Sequence, residues 1–529
     1  MSEPLPAPRF RLSRRSLLAG AAAGAAGVTV LLPGGVGFAA PAGGPIPFPF
    51  TLGVASGDPF PDGVVLWTRL APEPLAADGM GGMPGRPVEV EWELATDERF
   101  RTIERTGRET AVPESAHSVH VELAGLREGR EYFYRFRAEG HLSPVGRTRT
   151  TPNPTAMGPA LTMCFASCSN WPAGWFTAYR ALAAEEPDLV LHLGDYQYEG
   201  TGGAGAVRPV AGPETVTLAG YRQRYAQYKT DPDLQAAHAV APWLVVWDDH
   251  EVDNNYADEI PQDPALQPRE AFLARRAAAY RAYYENMPLR RASVPRGIDM
   301  QLYRRVGWGR LASFHMLDTR QYRSDQVECG PAGTAACPPR SDPARSITGA
   351  EQEAWLLDGF RRSQARWDVI GQQVFFAQRD LSPNAPVSFS MDAWDGYVAS
   401  RDRITRGWVD AGVRNAVVLT GDVHVAWANE LKLDYADPTG PTVGTELVCT
   451  SITSGGDGAD SNPNGDGVVA DNPHIKFRNG KRGYVRTRFT GDELRADFQV
   501  VEAVTTPSAP LRTAGSFVVP DREPGLHTA

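Results

Sequence analysis

From residue 48 to about 150, apolar and polar side chains alternate. Segments 64–69, 88–94, 118–123 and 132–137 each follow a period of two, with Gly/Pro turns between them. That period puts alternate side chains on opposite faces, one buried and one solvated. The pattern predicts a small all-β sandwich of the fibronectin or immunoglobulin kind over residues 46–150. It carries no catalytic cluster, and its expected role is to cover the domain that follows. Residues 151–158, with two prolines, read as a linker.

Beyond the linker the pattern changes. Residues 160–168 form an apolar strand ending in Cys168. A helix over 175–184 places Phe176, Tyr179 and Leu182 on one face, and Pro187 stops it. Residues 189–193 are a second apolar strand, ending in Gly194-Asp195. A strand-helix-strand unit closes as a parallel pair, so Cys168 and Asp195 belong at one carboxyl edge, where ligands collect in α/β sheets. A third strand, 242–246, runs into Trp247-Asp248-Asp249-His250-Glu251-Val252-Asp253-Asn254-Asn255-Tyr256. Helices are expected over 221–239 and 268–286, and strands over 300–305, 309–317, 368–376, 414–419, 446–452 and within 484–499. Thr348-Gly349-Ala350-Glu351 has the form of a capping box heading a helix to about residue 363. Residues 455–472 read as a flexible surface loop. Alternating strands and helices predict an α/β second domain over 158–520.

A chain of 529 residues has room for such a pair of domains. Its formal net charge of -10 excludes an electrostatic footprint for nucleic acid. Ser13-Arg14-Arg15-Ser16-Leu17-Leu18 precedes an Ala/Gly-rich run to about Phe38. A twin-arginine pair before a weakly apolar run resembles a Tat export signal over residues 1–42. The run is too weakly apolar for a comfortable membrane span. The Tat translocase is therefore an expected partner, and the mature protein is expected to be secreted or at the cell surface. Disulfides are permitted there. Of five cysteines, Cys329 and Cys337 flank a short Gly/Pro/Ala loop and are the natural pair. Cys164 and Cys449 either pair or pack as buried thiols, and Cys168 is left odd.

The strand ends carry the chemistry. Four acidic side chains and His250 fall between Asp248 and Asn254, a cluster that repels itself unless a cation holds it. Alone it reads as evenly as a solvated turn. Gly194-Asp195-Tyr196-Gln197-Tyr198 and Gly421-Asp422-Val423-His424 repeat the strand-then-Gly-Asp design and favour a metal-assisted hydrolase. Thiolate, phenolate and imidazole suit a transition metal, whereas carboxylates alone suit Ca²⁺ or Mg²⁺. A phenol with a pKa of about 10 ionises well only on a strongly acidic ion, which points to Fe³⁺. His192 and Tyr196 read as core residues, and Glu251 as a residue that orients its loop.

Asp195-x-x-Tyr198, the Asp-His-Glu loop and Gly-x-x-His resemble calcineurin-like metallophosphoesterases, with Tyr198 as in purple acid phosphatases. Phe165-Ala-Ser-Cys168, His192-Leu-Gly-Asp-Tyr-Gln-Tyr-Glu199, Trp247-Asp-Asp-His-Glu251 and Gly421-Asp-Val-His424 resemble the PhoD family of alkaline phosphatases more closely. Val54-Ala-Ser-Gly-Asp-Pro59 and Gly63-Val-Val-Leu-Trp-Thr-Arg69 are similar to its N-terminal domain. The resemblance implies a four-layer metallophosphoesterase β-sandwich flanked by helices, behind the small all-β domain. It implies Fe³⁺ on Cys168, Asp195, Tyr198 and His424, with Asp195 bridging to a Ca²⁺ held by Asp249 and Asp422. Asn254 is a candidate contributor to a second calcium. His250 would stand outside the metals and protonate the leaving oxygen, after attack by a metal-bound hydroxide. Arg320 and Arg323 are candidates for a substrate clamp, with structural roles as the alternative.

Three functions compete on these residues. The first is secreted phosphomonoester and phosphodiester hydrolysis. The second is phospholipase D activity on the same scaffold, although no pair of His-x-Lys-x-x-x-x-Asp motifs is present. The third is binding without catalysis. The expected partner is a phosphoester or phospholipid substrate, met by a monomer.

Overall fold

The computed structural model describes residues 46–329, 334, 337–383 and 386–529. The expected export signal, residues 1–42, lies outside the described residues. Five-residue strands whose every side chain is buried build the centre: Leu189–Leu193, Pro242–Val246, Trp367–Gly371 and Ala416–Thr420. Continuous apolar runs of this kind are what interior strands of a parallel sheet require, since both faces are covered.

Two large sheets hold these strands. In the first, of ten strands, Leu161–Ala166, Leu189–Leu193, Pro242–Val246 and Val54–Phe60 lie side by side in parallel. In the second, of seven strands, Ala312–Met316, Trp367–Gly371, Ala416–Thr420 and Thr442–Val448 are parallel neighbours. The two share one core, in which Leu191, Leu193 and Val485 meet Phe314, Val369 and Leu419. A Cβ on Gly371 would sit 3.5 Å from Leu193 Cδ2, which shows how closely the sheets approach. Helices Thr177–Ala184, Leu218–Lys229, Pro232–Val240 and Arg269–Asn286 pack against the first sheet. Gly349–Arg362 and Val398–Asp410 bury Leu356, Phe360, Ile404 and Trp408 against the second.

The strands expected to form a separate small sandwich are divided between two sheets. Ile103–Ala111, Val88–Ala95 and Glu131–Ala138 form a sheet of their own with two short strands. Val54–Phe60, Gly63–Arg69 and Ser118–Leu123 instead extend the ten-stranded sheet. Both layers do face one apolar core, which includes Val64, Leu66, Val90, Tyr132 and Phe136. Period-two alternation reports a half-buried strand but not which sheet it joins.

Other departures have local causes. The expected helix over 221–239 is two helices. Asp231 caps the second, accepting from the backbone N–H of Asp233 and Leu234, and Pro232 opens it. Thr348 makes no capping bond; its φ of -105° and ψ of -10° depart from the extended backbone a capping residue adopts, and Gly349 follows at φ +70°. Residues 484–499 are a hairpin, Arg482–Phe489 paired with Glu493–Val501. Residues 455–472 are anchored and contain the helix Pro463–Asp471. Arg482 binds the carbonyls of Gly455 and Gly456, and Asp457 accepts from the N–H of Val504 and Thr505.

Candidate metal centre

Central strands of both sheets end in residues of the site. In the first sheet these are Cys168, Asp195 and the Asp248-Asp249 pair; in the second they are Asp422 and His424. Cys168, Asp195, Asp422 and His424 all have positive φ, at 61°, 54°, 62° and 56°. Such conformations cost about 1–3 kcal/mol each and persist where surrounding structure imposes them. Gly194, at φ +99°, is required for a second reason: a Cβ there would lie 2.4 Å from Asp248 Cβ.

One ligand atom each of Cys168, Asp195 and His424 lies within 4.8 Å of the others, and the same holds for Asp195, Asp249 and His250. Tyr198 joins them. Its hydroxyl donates to Asp195 Oδ2 at 2.8 Å, stands 3.1 Å from His424 Nε2, and accepts from Ser454 Oγ at 2.6 Å. Asp195 Oδ1 is buried with no hydrogen-bond partner. Glu251 fixes the loops by accepting from the backbone N–H of Asp195 at 3.1 Å, Tyr196 at 2.5 Å and Asp248 at 2.8 Å. His250 Nδ1 is 2.7 Å from Glu199 Oε2, and its ring lies 4.1 Å from that of Tyr198.

Burial, with Asp195 beside it, pushes the Cys168 thiol far up. Burial, with Asp195 and Cys168, does the same to the Tyr198 phenol. The Asp195 carboxyl is also raised, by burial and by the carboxylates of Asp249, Asp248 and Glu251. Asp422 rises to about 7 through burial and its neighbour Asp392. Asp249 is held low: burial opposes its charge, but Arg320 and His250 outweigh it. His424 falls to about 4 through burial, with Arg482 adding to the effect, and is therefore a neutral imidazole. Buried acids that resist ionisation, one with an orphaned oxygen, around a neutral imidazole have the chemistry of a cation site. The donor set fits: thiol, phenol, imidazole and carboxylate on one side, carboxylates alone on the other.

The sequence model of the PhoD-like phosphatases matches residues 163–498, and that of the PhoD-like phosphatase N-terminal domain matches 39–152. Alkaline phosphatase D of Bacillus subtilis (strain 168) is 50% identical over 488 residues, covering 90% of this chain and 82% of that protein. This chain belongs to the PhoD-like phosphatase family. A solved structure of PhoD superposes with a TM-score of 0.87 at 49% identity, over 91% of this chain and 92% of that one. The protein is accordingly a phosphoric ester hydrolase of a metal-dependent family.

In this PhoD-like centre the structure brings together Cys168, Asp195, Tyr198, Asp249, His250 and His424, and Asp422 lies within electrostatic reach of Cys168 and Asp249. His192 and Tyr196 are core residues: His192 contacts Tyr179 and Ser169, and Tyr196 contacts His238. Arg320 and Arg323, open to a clamp or to a structural role, make structural contacts. Arg320 is fully buried, 2.5 Å from Asp248 and bidentate to Asp392 at 2.8 and 2.9 Å. Arg323 is buried on Asp392 and the Tyr397 hydroxyl. Both guanidiniums are committed to protein acceptors, and Arg320 is the cation that holds the Asp248-Asp249 pair. Asn254 donates its backbone N–H to Glu199 at 3.1 Å. Cys329 and Cys337 form a disulfide, while Cys164 and Cys449 are buried free thiols.

Sequence reasoning assigned no role to Glu199, Ser167, Ser454 or Asp392, and read Cys449 only as a paired or buried thiol. Ser167 Oγ sits 3.1 Å from Cys168 Sγ and 3.3 Å from Cys449 Sγ, bridging the two thiols. Glu199 was within view, four residues after Asp195. Ser167 adjoins Cys168, and Cys449, Ser454 and Asp392 meet the site through contacts distant in sequence.

Proposed function

We propose that this phosphatase hydrolyses phosphomonoesters and phosphodiesters at a mixed centre. Cys168, Asp195, Tyr198 and His424 would hold Fe³⁺, and Asp195, Asp249 and Asp422 would hold Ca²⁺. The observation that carries this reading is the convergence of thiol, phenol, imidazole and carboxylate, from three separate strand ends, around the orphaned oxygen of Asp195. When bound, the two cations supply Lewis acidity toward the phosphoryl oxygens and acidify water.

The chain supplies the remainder. Arg320 and the loop amides orient Asp249, whose Oδ2 accepts from Asn255 N–H at 2.7 Å and Oδ1 from His250 N–H at 2.9 Å. His250 is kept protonated: burial opposes its charge, but Glu199, Asp195 and Asp249 overcome it. Its proton passes to the leaving oxygen as the P–O bond breaks, and solvent restores it. Direct attack by water requires no phosphorylated side chain.

The twin-arginine segment supports export through the Tat translocase, a secreted or cell-surface location and action on extracellular phosphoesters. The two sheets with helices on their outer faces support the four-layer metallophosphoesterase architecture. The decisive experiment compares p-nitrophenyl phosphate, bis-p-nitrophenyl phosphate and phosphatidylcholine, with Ca²⁺ and after chelation, alongside metal analysis. The reading expects chelator-sensitive hydrolysis of the first two. Hydrolysis confined to phosphatidylcholine would move the activity to the phospholipase alternative, and a metal-free active enzyme would end the proposal.

A further inference from the structure

Three parallel strands of the second sheet deliver a site residue just beyond their carboxyl ends: Arg320 after Ala312–Met316, Asp422 after Ala416–Thr420, and Ser454 after Thr442–Val448. The fourth, Trp367–Gly371, leads into residues 372–379. That segment is tied to its neighbours on both sides. Gln373 Oε1 accepts from the Thr319 backbone N–H and hydroxyl at 3.1 and 2.6 Å, and Gln373 O accepts from Gly421 N–H at 2.8 Å. It ends in Arg379.

Arg379 is 9% exposed. Its guanidinium lies 4.1 Å from the centroid of Phe375 and 5.3 Å from that of Trp427, three residues beyond His424. It is close enough to Asp422 for each to shift the other's pKa. Among the described residues no acceptor takes a hydrogen bond from it. Its acidic neighbours are engaged elsewhere. Both oxygens of Glu446 are filled by Phe376 N–H, Ala377 N–H, Thr420 Oγ1 and Asn429 Nδ2. Asp395 is taken by Arg401 and by Arg379's own backbone N–H. A guanidinium held by aromatic faces keeps its planar fork of N–H donors, and that fork matches two oxygens of a phosphate.

We propose that Arg379 is a substrate-binding residue whose guanidinium takes non-bridging oxygens of the phosphoryl group, on the Asp422 side of the centre. It thus supplies the clamp for which Arg320 and Arg323 were candidates. The proposal rests on the metallophosphatase reading of that centre.

The test uses the metal-loaded enzyme, with p-nitrophenyl phosphate as substrate and inorganic phosphate as competitive inhibitor. Arg379→Gln and Arg379→Met are expected to raise both KM and the inhibition constant for phosphate by about tenfold or more, the worth of a charge-assisted hydrogen bond. Metal content and Tm should stay at wild-type values, and Arg379→Lys should recover part of the loss. Phosphate inhibition that is unchanged in a metal-replete variant overturns the proposal. So does loss of bound metal or folding in all three variants, since the arginine is then structural. A wild-type enzyme that neither turns over the ester nor binds phosphate would instead sink the reading of the centre itself.

Discussion

At the scale of single residues, the His250–Glu199 pair makes the sharpest prediction. Glu199 is the leading cause that raises the imidazole's pKa against burial. Glu199→Gln removes that charge and keeps the shape. The imidazole pKa then falls, so the alkaline limb of the rate profile should move to lower pH. At alkaline pH, kcat should drop by about 10²-fold or more, the usual worth of a placed general acid. Profiles of kcat against pH for both proteins check this; superimposable profiles would show that His250 is no proton donor. His250, Asp195 and His424 could be read from sequence because each follows a strand and carries a side chain with few structural uses there. Arg320 and Arg323 stayed open to two readings for the converse reason. Arginine serves substrate and structure equally well, and only the position of Asp392, 72 residues along from Arg320, decides between them. Ser454 was silent because a serine in a loop carries no chemistry until its neighbours are known, and Cys449 showed only as a paired or buried thiol.

Among the elements, the turn after Leu189–Leu193 is the least tolerant. Gly194→Ala would combine a strained φ with a Cβ 2.4 Å from that of Asp248. We expect a loss of about 3 kcal/mol or more in unfolding free energy, and weakened metal binding as the Asp195 and Asp248 loops are forced apart. Chemical denaturation and metal analysis read the two effects. The Cys329–Cys337 bridge closes a short loop, with a separation of 8 residues. Removing it by a double Cys→Ser change should cost about 2–3 kcal/mol in the same assay. Central strands were legible because their apolar runs are continuous. Sheet membership of the N-terminal strands was not, since it depends on a partner near residue 242. The divided helix at Asp231-Pro232 was readable from capping chemistry alone, but the apolar pattern on both sides masked it.

For the whole molecule, acid sensitivity follows from two interior imidazoles remote from solvent. Burial pushes His192 down to about 3, and burial together with Lys229 and His192 pushes His238 well below its ordinary value. In the unfolded chain both titrate near 6.5. The folded state therefore binds fewer protons across that interval. Stability is complete above about pH 6.5 and is lost as pH falls toward the folded values, by up to about 1.4 kcal/mol per imidazole per pH unit. Melting temperatures should be level above pH 7 and decline below about pH 6, and His192→Gln should narrow the gap between pH 7 and pH 5. A flat acid profile would contradict the neutral, buried assignment.

The position of Val54–Phe60 beside Pro242–Val246 has a consequence for how the protein is made. A strand that leaves the ribosome among the first must wait for a partner nearly two hundred residues behind it. At synthesis rates of about 5–20 residues per second, that delay is roughly 10–40 s. Until then that edge of the ribbon stands open, its other edge being paired with Gly63–Arg69, and any factor that shields nascent chains has that interval in which to act.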